Sequence, residues 1–161
     1  MSNEDVFNGA KTALMFYDAY ASAVAEEIGM ERAAALQAKV FENMGAMQGK
    51  MMKEQAGIKE CDAKTAWSFI KTVPESLGLN LEVVEESPQR VVVKASRCAV
   101  YEAAHALGVD DKTIETMCSF SSNRFMDAVA KQLNPNLTFQ VSKFRSAPGD
   151  PCIEEVVLSS T

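Results

Sequence analysis

The sequence predicts an α+β fold: three N-terminal helices, then a β-β-α-α-β-β unit with an antiparallel sheet covered by helices. Three observations predict it. Apolar residues recur at helical spacing through the first 78 residues, and the pattern changes period at Leu79. Breakers such as Gly29, Gly57, Leu77-Gly78, Pro88, Gly108, Asn134-Pro135 and Pro148-Gly149 divide the chain into element-sized pieces. The length of 161 residues, 47% apolar and 24% charged, suits one globular domain with a real core, helical over 1–78 and β-β-α-α-β-β over 79–161.

The first helix is Ala-rich, runs from residue 4 to 28 and stops at Gly29. A second covers Glu31 to about Glu54. Its Val40, Met44, Met47 and Met51 form one apolar stripe, read as core packing, a dimer face or an adaptable wall for an apolar ligand. Gly45 and Gly49, four apart, allow another backbone to come close. Asp62 caps a third helix carrying Trp67, Phe69 and Ile70; Val73-Pro74 bends or interrupts it and Leu77-Gly78 ends it. Leu79–Glu85 and Gln89–Ser96 read as a hairpin around Glu86-Ser87-Pro88. Cys98–Leu107 is a short helix stopped by Gly108. Asp110 or Asp111 then caps a longer one to about Leu133, with Ile114, Cys118, Ser121, Phe125 and Ala128 on one face. Leu137–Phe144 and Cys152–Leu158 are the last two strands.

A formal charge of −6 repels phosphate backbones and argues against nucleic acid as a partner. No apolar run approaches the roughly 20 residues that span a bilayer, so no membrane partner is expected. The acidic start Met1-Ser2-Asn3-Glu4-Asp5 is unlike a signal peptide, and the expected location is cytoplasmic. The long Ala- and Met-rich helices suggest a homodimer.

The chemistry concentrates in cysteine. Cys61, Cys98, Cys118 and Cys152 are widely spaced, and a reducing cytosol disfavours disulfides among them. Cys98 stands where a strand passes into a helix, where free N–H groups and the helix dipole favour a thiolate. Cys118 lies on the apolar face of its helix. Cys152 shares a strand face with Val156 and Leu158 and points inward. These three are expected to meet where the C-terminal helices cover the sheet, with Cys61 structural. Held together by Cys98, Cys118 and Cys152, zinc or another soft ion would suit the thiolates and leave a position open for water. In a nucleophilic site, Cys98 attacks and His105 or Glu102 is the base. His105 lies two turns after Cys98, roughly 10 Å along the helix, too far for one metal without a bend. Buried inert thiols remain the alternative to both. The basic residues Arg90, Lys94 and Arg97, with Lys143 and Arg145, form either a small anion pocket or a charged sheet edge. Phosphate loops, G-x-S-x-G, H-E-x-x-H and dinucleotide fingerprints are absent.

Three segments carry a family resemblance: Arg97-Cys98-Ala99-Val100-Tyr101-Glu102-Ala103-Ala104 ahead of Leu107-Gly108; Cys118 in the next helix; and Leu133-Asn134-Pro135-Asn136-Leu137-Thr138-Phe139 followed by Gly149-Asp150-Pro151-Cys152. Over about residues 80 to 158 the chain resembles the L-2-amino-thiazoline-4-carboxylic acid hydrolase family, related to vinyl-reductase-type ligand-binding domains whose fold some trafficking proteins share. The resemblance implies hydrolytic opening of a small sulfur-containing heterocycle that bears a carboxylate, at an amidine-like C–N bond. Cys98, Glu102 and His105 are then the catalytic candidates, and Arg97, Tyr101 and Arg124 the candidates for holding substrate. The alternative is a sensor-like domain in which the same cysteines hold zinc or a small ligand without turnover.

Overall fold

In the computed structural model, which describes residues 2–159, Ser2 opens the first helix with a reciprocal cap. Its hydroxyl accepts the Asp5 N–H, and the Asp5 carboxylate accepts the Ser2 N–H. The helices α1 (Asn3–Ile28) and α2 (Met30–Ala56) are separated by Gly29 alone, whose φ of 87° only glycine adopts without strain. Tyr17 then meets Phe41 edge-on and accepts a hydrogen bond from Gln37, so α2 folds back along α1. Next come α3 (Ala63–Ile70) and α4 (Thr72–Ser76), the hairpin β1 (Asn80–Glu86) and β2 (Arg90–Arg97), then α5 (Ala99–Ala106), α6 (Asp111–Phe120) and α7 (Ser122–Leu133), and last β3 (Leu137–Lys143) and β4 (Cys152–Leu158).

The four strands form one antiparallel sheet in the order β1-β2-β4-β3. Its inner face is set by alternation along β4, where Cys152, Glu154 and Val156 stand on one side. Across that face Val156 pairs with Val91 and Phe139, and Glu154 with Val93 and Val141. The main core lies between this face and the helices. It is filled by Trp67 and Ile70 of α3, Val129 and Leu133 of α7, and Val91, Leu137 and Val156 of the sheet. A smaller cluster of Tyr101, Ala104 and Ile114 takes in Cys98, Cys118 and Phe144.

Two open readings are resolved, and one expectation, the single helix to Leu133, is corrected. The third helix is two, divided at Lys71: Pro74 has no N–H to give an unbroken helix, but it fits the first turn of α4. The long helix to Leu133 is also two. At Ser121 the backbone leaves helical geometry (φ −114°, ψ −91°), and the Ser121 hydroxyl donates to the Met117 carbonyl. The break lets α6 turn Ile114 and Cys118 into the small cluster while α7 drives Met126, Val129 and Leu133 into the main core. The methionine stripe is not core. Val40, Met44, Met47 and Met51 are 44–57% exposed, and the buried line of α2 is Gly45 and Gly49. A Cβ at Gly49 would stand 2.7 Å from the Val129 carbonyl oxygen, and one at Gly45 would overlap the Phe125 carbonyl. The missing side chains let α7 lie backbone-close on α2, as the spacing of the two glycines predicts.

No helix among the described residues is long and apolar enough to cross a membrane.

A candidate ligand cavity lined by three cysteines and two carboxyls

A cavity of about 240 Å³ lies between the inner face of β3 and β4 and a cover made by α1, α2, α4, α5, α6 and α7. For scale, an apolar cavity of roughly 150 Å³ admits benzene. This one has room for a single substituted ring. Its walls are mostly hydrocarbon, from Leu14, Phe41, Val100, Ile114, Met126 and Phe139 among others. Such walls exclude water and strengthen every electrostatic contact inside.

Cys98, Cys118 and Cys152 all line it, each delivered by a different element. Cys98 is the N-cap residue of α5, in extended geometry at the end of β2. Burial pushes its thiol up to about 11, although the N–H groups of Tyr101 and Val100 and the nearby Arg145 charge pull the other way. Cys118 is also pushed well above the usual thiol range, by burial first and then by Cys98 and Cys152 beside it. Cys152 is buried, and its sulfur accepts a hydrogen bond from Arg145 Nε at 3.4 Å. Cys61 lies apart from the cavity, packed against the main core.

The other sequence candidates separate. Tyr101 lines the cavity, and its hydroxyl donates to Asp111 at 2.6 Å. Glu102 is not part of the lining: it pairs with Lys11 at 3.3 Å and lies 3.6 Å from Arg97. Arg97 is taken up by Glu4 and by the ring of Phe7, 3.6 Å beneath its guanidinium. His105 is exposed and stacks on Tyr101, ring centres 5.6 Å apart, outside the lining. Arg124 is exposed on α7. So Cys98 shares the cavity with Tyr101 but not with Glu102, His105, Arg97 or Arg124. The wider set of basic residues does not gather into an anion pocket. Arg90 pairs with Glu85 and Glu155, and Lys94 with Glu82. Arg145 is only 2% exposed; besides Cys152 it bonds the Ala95 carbonyl at 3.1 Å and covers the Tyr101 ring at 4.6 Å.

Two functional groups escape the sequence reading. Asp18 of α1 is 5% exposed, lines the cavity, and leaves its Oδ2 without a hydrogen-bond partner. Burial pushes its carboxyl up to about 6. Glu154 of β4 also lines the cavity, and burial pushes it up to about 7 against the pull of Arg145. A signal for each was present. Asp18 lies eleven and four residues after Phe7 and Leu14, on the inward face of α1. Glu154 follows Cys152 by two, so the alternation that turns the cysteine inward turns it inward too. Buried carboxyls with displaced titration in a cleft are a recognised mark of functional sites.

Among the described residues no group of three or more His, Cys, Asp or Glu side chains is placed to hold a metal ion.

Comparison with known proteins agrees with this architecture. The fold is similar to that of a trafficking protein particle complex subunit 3 from Naegleria fowleri covalently bound to palmitic acid, with a TM-score of 0.58 and 13% identity over 94% of this chain and 96% of that one. It is similar as well to the phenol-responsive sensory domain of the transcription activator PoxR with phenol, with a TM-score of 0.60 and 11% identity over 89% of this chain and 74% of that one. No curated protein sequence matches. A model of the L-2-amino-thiazoline-4-carboxylic acid hydrolase family matches residues 9–152. That match begins inside α1, so it takes in the helical region as well as the half whose residues carry the resemblance. Apart from Glu154, every residue lining the cavity lies within that one match, and the chain belongs to the L-2-amino-thiazoline-4-carboxylic acid hydrolase family.

Proposed function

We propose that this chain binds a small one-ring molecule in the cavity and hydrolyses an amidine-type C–N bond in it, with Cys98 as nucleophile and Glu154 as base. One observation carries the reading: a nucleophilic sulfur and a carboxyl poised near neutrality open on the same apolar space. Magnitudes favour the thiol over water as the group that Glu154 deprotonates. From a base near 7, the Cys98 thiol at about 11 is about four units uphill. Bulk water, near 15.7, is almost nine. The sulfur then adds to the amidine carbon, and the C–N bond breaks as Glu154 returns the proton to the leaving nitrogen. Water hydrolyses the resulting thioester-like intermediate by the same base.

The test is turnover of 2-amino-thiazoline-4-carboxylate and of 2-amino-2-thiazoline, followed by loss of the ring absorbance. Cys98→Ser and Glu154→Gln should each lower the rate at least about a hundredfold, the usual range for a general base. Cys118→Ser should retain most of it. A wild-type protein that binds either compound but forms no product overturns the catalytic part.

A second reading is a sensor-like domain that holds its ligand without turnover. It is supported by the ligands named for the two structural neighbours, palmitic acid and phenol. We also propose a homodimer through the exposed stripe of α2, because five large apolar side chains from Leu36 to Met51 stand on one helix.

A further inference from the structure

The cavity wall has an unbalanced charge inventory. Asp18 and Glu154 line it, and no lysine, arginine or histidine does. Asp18 is the sharper case. Its Oδ2 is buried and accepts no hydrogen bond, in a protein where the exposed carboxylates Glu4 and Asp5 are fully engaged. A buried acceptor left open costs stability, and it is retained where something else supplies the donor. The nearest buried cation is not free to balance the charge. Arg145 lies outside the lining and is committed to Cys152, the Ala95 carbonyl and the Tyr101 ring.

We propose that Asp18 is a specificity-determining residue: the cavity selects a small ring whose polar edge is a protonated amidine or amine, held at Asp18 Oδ2, and a carboxylate on that ring counts against binding. This rests on reading the cavity as the ligand site and goes beyond it by naming the ligand's charge. It also departs from the carboxylate-bearing compound in the family's description. That carboxylate would meet an apolar wall and two acids, with no cationic side chain to receive it. An amidinium would replace the missing donor at Asp18 and neutralise it in a water-poor site, where such a bond is strongest.

Binding by isothermal titration with five probes tests this: benzamidine, acetophenone and benzoate as rings of similar size but different charge, and 2-amino-2-thiazoline beside its 4-carboxylate. Benzamidine should bind at least about tenfold more tightly than benzoate, and 2-amino-2-thiazoline more tightly than its carboxylate. Asp18→Asn should weaken benzamidine by about tenfold or more and leave acetophenone within about twofold, which shows that the cavity of the variant is intact. If acetophenone binds but benzamidine has no advantage, or Asp18→Asn treats the two probes alike, the charge selection is wrong and the cavity reading stands. If none of the probes binds the wild-type protein, the cavity reading fails and this inference falls with it.

Discussion

Asp18 and Glu154 are held in places that raise their proton affinity, and this has a thermodynamic sign. Each folded-state value, about 6 and about 7, lies above the ordinary carboxyl values of 3.8 and 4.5. Between those limits the native protein binds more protons than the unfolded chain, so stability falls as pH rises from about 4 to 7. For Asp18 the loss is on the order of 2–3 kcal/mol at neutral pH, from about 1.4 kcal/mol per unit. Asp18→Asn should therefore be more stable than the wild type at pH 7.5 and no more stable at pH 4. Urea unfolding at the two pH values checks it; an equal effect at both would show that ionisation of Asp18 is not the cause. Such a residue is easily overlooked in the sequence. A carboxylate among apolar neighbours is read as outward-facing, although the helical spacing from Phe7 and Leu14 turns Asp18 inward. The cysteines were easier to read because thiols are at home on apolar faces. Local spacing could not distinguish Glu102 and His105 from true cavity residues. They sit on α5 one and two turns after Cys98, and only the placement of α1 engages Glu102 with Lys11.

At the scale of elements, the contact between α2 and α7 depends on two absent side chains. Gly45→Ala or Gly49→Ala would force a methyl into the backbone of Phe125 or Val129. The cost expected is about 2–4 kcal/mol, because backbone must move, and it exceeds the roughly 1 kcal/mol that alanine gains in a helix. Gly9→Ala, with open space around it, should gain instead. Thermal denaturation of the three variants makes the comparison; similar melting temperatures for all would contradict the close approach. Element order and most boundaries were legible, since the hydrophobic period, Asp62, Asp110 and the glycine stops each act locally. The break at Ser121 was not legible. No glycine or proline marks it, and it exists because α6 and α7 must face two different clusters. The same is true of the stripe on α2. A 3.6-residue period predicts two faces and leaves open which of them meets α7; two glycines decide it by allowing the shorter approach.

For the molecule as a whole, the exposed line from Leu36 through Met51 leaves five large apolar side chains of one helix uncovered by the fold. If two copies cover it, Met44→Glu together with Met47→Glu should convert a dimer to a monomer in sedimentation velocity at micromolar concentration, with the melting profile of each protomer retained. A wild-type protein that sediments as a monomer at those concentrations removes the dimer proposal. It leaves the cavity untouched, since none of the stripe residues lines it.

The cavity has one more consequence, which follows from which stretches of chain enclose it. All three sulfurs and Glu154 come after residue 79, whereas Leu14, Tyr17, Asp18, Gln37 and Phe41 come before it. A fragment trimmed to residues 80–158 would keep the three sulfurs and Glu154 but lose the opposite wall and Asp18. Its thiols would then stand in open solvent, where a sulfur titrates normally, oxidises readily and discriminates poorly among guests. The two opening helices are therefore what turns a row of cysteines into a walled cavity.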